Sequence, residues 1–210
     1  GSLSTYLREN TINWSQLCKL IRTLVQGLAH LHTEIFKDGK TKPSIAHRNL
    51  CSRNVIVKAD GTCMICDFQY AVCFTNNKAA SSDERTSTLI GALRYLAPEI
   101  LEGAINLSHC ESSLKQADIY SLGLILWEMA SRCLDLYQGI EVPTYKLPFE
   151  LEIGLKPTFD QMKILISHHK ARPLFPDIWK DSNPAIRLLK ETIVECWDQE
   201  PEARLTALCM

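Results

Sequence analysis

Between Trp14 and His32, apolar residues recur at Leu17, Leu20, Ile21, Leu24, Val25, Leu28 and Leu31. Offsets of three and four place them on one face of a helix, so the pattern predicts a long amphipathic helix over 14–32. A shorter helix is expected before it, from Ser4 to about Glu9. After Asn54 the periodicity changes. Val55-Ile56-Val57-Lys58 and Cys63-Met64-Ile65-Cys66 flank Ala59-Asp60-Gly61, which predicts a β-hairpin about an Asp-Gly turn. Residues 37–43 are polar and read as a loop. Residues 75–88 are rich in Ser, Asn, Thr and charge and read as a surface loop. From Ser112 to Ser131 the pattern is helical again, but Ile119, Leu122, Leu124, Ile125 and Leu126 leave no polar side, as in a helix that runs through the core. Helices are also expected at Thr158–Ser167, Asn183–Trp197 and Pro201–Cys209. Residues 139–157, interrupted by Pro143, Pro148 and Pro157, are expected to be irregular. No repeat or low-complexity boundary divides the chain, so the pattern describes one mostly helical unit with a small β element.

The chain has 210 residues, of which 46% are hydrophobic, enough for a single core of one domain or one large lobe. Its net charge of −1 leaves no basic footprint for nucleic acid. No run approaches the ~18 apolar residues of a membrane helix; the best, Ile119 to Trp127, ends at Glu128. The first residues carry no signal-peptide pattern. Nine cysteines, odd in number and irregular in spacing, do not form a disulfide framework and point to free thiols in a reducing compartment. Cys63-x-x-Cys66 invites a metal or redox reading, but an odd offset in a strand sends the two thiols to opposite faces. His168-His169 has no partner at ligand spacing and is expected on the surface.

Three short motifs carry the chemistry. His47-Arg48-Asn49-Leu50-Cys51-Ser52-Arg53-Asn54 is followed by Cys66-Asp67-Phe68-Gln69 and then by Ala97-Pro98-Glu99. The set resembles the H-R-D-x-x-x-x-N, D-F-G and A-P-E segments of protein kinases. The resemblance implies a protein kinase-like α+β fold and covers essentially the whole chain. It places residues 1–210 in the mostly α-helical C-terminal lobe with a small β-hairpin. The catalytic loop would be 47–54 and the activation segment 67–99. The N-terminal lobe, with its Gly-rich loop and lysine, is not among these residues.

Carried over by position, the resemblance puts Asn49 at the catalytic base, Asn54 and Asp67 as metal ligands, and Ile56 under the nucleotide base. It implies ATP with Mg²⁺ or Mn²⁺ as cofactors, used together with the N-terminal lobe. Carboxylate and amide oxygens suit such hard cations. Asn49 has nearly the shape of aspartate but no basicity, so it can orient a hydroxyl and cannot take its proton. Gln69 stands where the family has glycine, and is expected to stiffen that hinge. Ala92 stands where a hydroxyl is usual. The framework residues of the family are kept: Asp118 would accept hydrogen bonds from the backbone near His47-Arg48, Glu99 would pair with Arg204, and Arg48 would meet an anion from the 75–88 loop.

Stretches such as Arg94-Tyr95-Leu96-Ala97-Pro98-Glu99-Ile100-Leu101-Glu102-Gly103, Arg172-Pro173-Leu174-Phe175-Pro176 and Cys196-Trp197-Asp198-Gln199-Glu200 are similar to receptor serine/threonine kinases of the transforming growth factor-β superfamily. Within it they most resemble the type II receptors for bone morphogenetic proteins. That implies a place on the cytoplasmic side of the plasma membrane in a single-pass receptor, and a ligand-assembled complex with a type I receptor kinase as partner and substrate. Three readings remain open at this level. One is impaired transfer of phosphate to Ser/Thr of the type I receptor; the second is a pseudokinase that docks and regulates without chemistry; the third is a truncated, non-signalling fragment.

Overall fold

The computed structural model describes residues 1–75, 78–79, 92–105 and 110–210. Helix α1 (Leu3–Glu9) opens on Ser2, whose hydroxyl accepts from the Thr5 N–H. Helix α2 (Trp14–His32) begins in a capping box, with Asn13 and Gln16 each accepting from the other's backbone. Its stripe of Leu17, Leu20, Leu24, Val25 and Leu28 is buried, as the periodicity predicts. At its far end Lys42 Nζ donates to the carbonyls of Leu31 (3.1 Å), Thr33 (2.8 Å) and Pro43 (2.9 Å), placing a cation on the carbonyl end of the helix.

Lys42 is brought there by a hairpin, where the polar pattern of residues 37–43 predicts a loop. Strands β1 (Ile35–Lys37) and β2 (Lys40–Lys42) pair antiparallel around Asp38-Gly39, both at positive φ. The Asp-Gly pair was the available signal; the lack of a buried face concealed it. Strand β3 (Ser44–Ala46) pairs antiparallel with β6 (Val72–Thr75), which continues to β7 (Lys78–Ala79). The expected hairpin forms as β4 (Val55–Val57) and β5 (Cys63–Ile65), register Ile56↔Met64. Ser2 bridges to Ile56 on the other side, and the Val57 N–H donates to the Gly1 carbonyl.

Helix α4 (Cys110–Ala130) runs through the core, with Ile119, Tyr120, Leu122, Leu124, Ile125 and Leu126 all buried. Gly123 allows the approach of α7 (Pro184–Cys196): a Cβ at 123 would stand 2.8 Å from the Cβ of Cys196. Short helices α3 (Pro98–Glu102), α5 (Glu150–Ile153) and α6 (Phe159–Lys163) complete the layer, α6 passing into a π-turn at Ile164–His168. His168 and His169 are exposed, and all nine cysteines are free thiols.

The predicted helix Pro201–Cys209 does not form. A single 3-10 turn, Pro201–Ala203, ends at Arg204 with extended ψ of 148°. The reason is tertiary. Arg204 leaves the helical path to meet Glu99, donating through Nη1 (2.7 Å) and Nη2 (2.8 Å) to its two carboxylate oxygens. Both residues are buried, and Arg204 also donates to the carbonyls of Gln116 and Asp198. A bidentate buried pair outweighs a few residues of helix propensity.

Candidate active site

The loop 47–54 rests on one buried carboxylate. Asp118 of α4, 1% exposed, accepts from the His47 N–H (Oδ2, 2.7 Å) and the Arg48 N–H (Oδ1, 2.8 Å). This is the arrangement expected for Asp118. A third partner was missed: His32, in the last turn of α2, reaches Asp118 Oδ2 at 3.0 Å. Nothing in the sequence spacing joins 32 to 118. His47 is itself fixed, and its tautomer follows from its partners. Nδ1 accepts from the Asn49 N–H (3.3 Å), so Nε2 carries the proton and donates to the Cys66 carbonyl (3.0 Å). Phe68 packs edge-on against the imidazole, with ring centroids 5.2 Å apart.

These contacts tie the first motif to the second. The Cys66 N–H donates to the Asn54 carbonyl (2.9 Å), closing the base of the β4–β5 hairpin and setting Asp67 beside the loop. Asn54 Nδ2 donates to the Asn49 carbonyl (2.8 Å), so its Oδ1 is the atom left to accept or to ligate. Asn49 Nδ2 donates to Asp67 Oδ2 at 2.9 Å. Asn49, Asn54 and Asp67 thus converge. Ile56 lies on β4 at a half-buried position, between Val55 and Val57, which face the core. The carboxylate of Asp67 and the amide oxygen of Asn54 form a donor set of the hard kind that Mg²⁺ takes when phosphates and water complete its shell.

The strain in this region is not where the sequence suggests. Gln69 sits in a right-handed 3-10 turn, Phe68–Tyr70, and bears no unusual backbone angle. The left-handed residues are Asp67 (φ 66°, ψ 67°) and Arg48 (φ 66°). Non-glycine residues held there store about 1–3 kcal/mol, and such strain clusters at functional sites. Gln69 therefore costs the observed turn nothing, and a side chain there still disfavours the left-handed angles that glycine would allow. The 75–88 loop expected to supply an anion to Arg48 lies almost wholly outside the described residues. Arg48 Nη1 does donate to the Tyr70 carbonyl at 3.4 Å.

A buried polar cluster beneath the loop was also missed, although a lone carboxylate inside an apolar helix was the signal. Glu128 of α4, fully buried, accepts from the Tyr95 hydroxyl (2.5 Å) and from the Tyr145 hydroxyl. Ser52 of the loop lies 3.0 Å from the Tyr95 oxygen. Burial pushes the Glu128 carboxyl up to about 7, against the downward pull of the two tyrosine hydroxyls and Ser52. An unfolded glutamate titrates near ~4.3. Between those values the folded state holds a proton that the unfolded chain has lost, so stability falls as pH rises through this window and levels off above about 7. Glu128→Gln is expected to abolish this component, on the order of 3 kcal/mol across the window. Urea unfolding at about pH 5 and pH 8 for both proteins measures it; equal slopes would refute the assignment.

All 210 residues match the family model described as "Protein kinase domain", and the chain belongs to that family. Within it the similarity runs to receptor kinases. The chain is 42% identical over its full length to activin receptor type-2A of Homo sapiens and of Mus musculus, and 41% identical to activin receptor type-2B of Xenopus laevis. It spans 40% of the length of these curated relatives. Among the described residues, no helix is long and apolar enough to cross a membrane.

Proposed function

We propose that this chain is the C-terminal, substrate-side lobe of a type II receptor kinase of the transforming growth factor-β superfamily, of the bone morphogenetic protein receptor kind. It transfers phosphate from ATP to Ser/Thr of a type I receptor kinase in a ligand-assembled complex, slowly, on the cytoplasmic side of the plasma membrane. The carrying observation is the convergence of Asn49, Asn54 and Asp67 on one point, with Asn49 2.9 Å from Asp67. Bound ATP with Mg²⁺ or Mn²⁺ supplies the phosphoryl group and the charge neutralisation its transfer needs. Asn54 and Asp67 would hold the cation, and the outward face of Ile56 would support the base. Asn49 orients the acceptor hydroxyl through its amide oxygen and leaves the proton to solvent or to the phosphate. The loss at Asn49 falls on proton transfer, while positioning, the larger part of phosphoryl transfer, does not need a base there.

A second reading has a specific observation in its favour. The Asn49 amide occupies an oxygen of Asp67 that the cation would use, as in a module that docks without chemistry. Transfer of labelled phosphate from ATP to a type I kinase domain, by the whole protein, separates the two. The first reading expects slow incorporation that Asp67→Ala abolishes together with Mg²⁺-dependent binding of a fluorescent nucleotide. Incorporation unaffected by Asp67→Ala would overturn it, and nucleotide binding without any incorporation would favour the docking module.

A further inference from the structure

Beside the catalytic loop opens a cavity of about 520 Å³ lined by Ser2, Thr5, Arg8, Arg53 and Arg94, with Leu93 and Pro157 at its apolar side. Its position is set by the loop itself. Arg53 is the middle residue of the turn Ser52–Asn54, and the next side chain, Asn54, holds the carbonyl of Asn49. The cavity thus shares the turn Ser52–Asn54 with the candidate site, Arg53 lining the one and Asn54 belonging to the other.

Its charge is one-sided. Arg8 and Arg53 are exposed, and among the described residues neither makes an ion pair. Arg8 is steered by Tyr145, whose ring centroid lies 5.6 Å from its guanidinium carbon. Arg94 is buried and anchored, donating to the carbonyls of Pro148 (2.9 Å) and Gly154. Glu150 and Glu152 act on Arg94 through space, but among the described residues no carboxylate lines the cavity. Three guanidiniums line the cavity, two of them exposed, and a guanidinium fork matches a carboxylate in geometry as well as charge.

We propose that this groove selects acceptor peptides by acidic side chains flanking the phosphorylated Ser/Thr, with Arg53 and Arg8 as the residues that read them. The inference rests on the kinase reading for the position of the acceptor, but its readout is binding and needs no catalysis. Charge complementarity commits the occupant: a basic peptide meets repulsion, and a neutral one leaves two guanidiniums unpaired.

The test uses the whole protein, with labelled serine peptides of one length and Asp/Glu, neutral or Lys/Arg flanks, followed by fluorescence anisotropy. The acidic peptide is expected to bind about tenfold more tightly than the neutral one, an advantage that shrinks with added salt. Arg53→Ala and Arg8→Ala should each weaken the acidic peptide by about threefold or more, leaving the neutral peptide unchanged. The double variant Arg8→Glu with Arg53→Glu should prefer the basic peptide, and a folded variant with unchanged preference overturns the inference. Equal affinity for acidic and neutral peptides does so too. Loss of nucleotide binding and phosphate transfer with the peptide preference intact would sink the catalytic reading and leave this one standing.

Discussion

Asn49→Asp is expected to raise phosphate transfer by about 10²–10⁴-fold, the usual worth of a positioned general base. The variant should also make the protein depend on a divalent cation. In the native chain the Asn49 amide donates to Asp67 Oδ2 at 2.9 Å, a bond between a neutral donor and a charged acceptor. An aspartate at 49 sets two carboxylates at that separation. Like charges so close cannot both ionise without a proton or a cation between them. Without Mg²⁺ the variant should therefore be less thermally stable than the native chain, and with Mg²⁺ the difference should close. Rates and melting temperatures, each with and without Mg²⁺, check both halves. A native rate that the substitution barely changes would mean proton transfer is not what limits this chain. No transfer in either protein would leave the docking module as the reading that survives.

Asp118→Ala is expected to cost about 3–5 kcal/mol of stability and to release the catalytic loop. Asp118, 1% exposed, accepts from two backbone N–H groups and from His32. Removing it leaves those donors buried without an acceptor, and frees the left-handed Arg48 that it holds in place. Asp118→Asn tests the charge separately. It keeps the volume but has one acceptor oxygen for the positions that two now fill. Urea unfolding gives the stability, and protection of the His47 and Arg48 amides against hydrogen exchange reports the loop. A loss below about 1 kcal/mol with unchanged protection would show that the loop is held by other contacts.

Local rules explain why much of this fold could be read in advance. The α2 stripe and the β4–β5 hairpin follow from periodicity and an Asp-Gly turn, and α4 follows from a helix with no polar side. The motif residues Asn49, Asn54 and Asp67 were legible because a resemblance names positions. Their convergence was not: it needs the Cys66 N–H on the Asn54 carbonyl and the His47 ring on the Cys66 carbonyl, contacts between residues with no periodic relation.

The sequence alone determined the helical stripe, the buried central helix and the hairpin. Each depends on residue type and on neighbours a few positions away. Only the tertiary structure decided that Gln69 is unstrained while Asp67 is left-handed, that His32 braces Asp118, and that Arg204 ends the turn Pro201–Ala203 to reach Glu99. It also decided that Arg8 and Arg53, far apart in sequence, line one cavity. These outcomes turn on the burial of charge and on which distant donor meets which acceptor, and no local pattern of hydrophobic and polar residues encodes that.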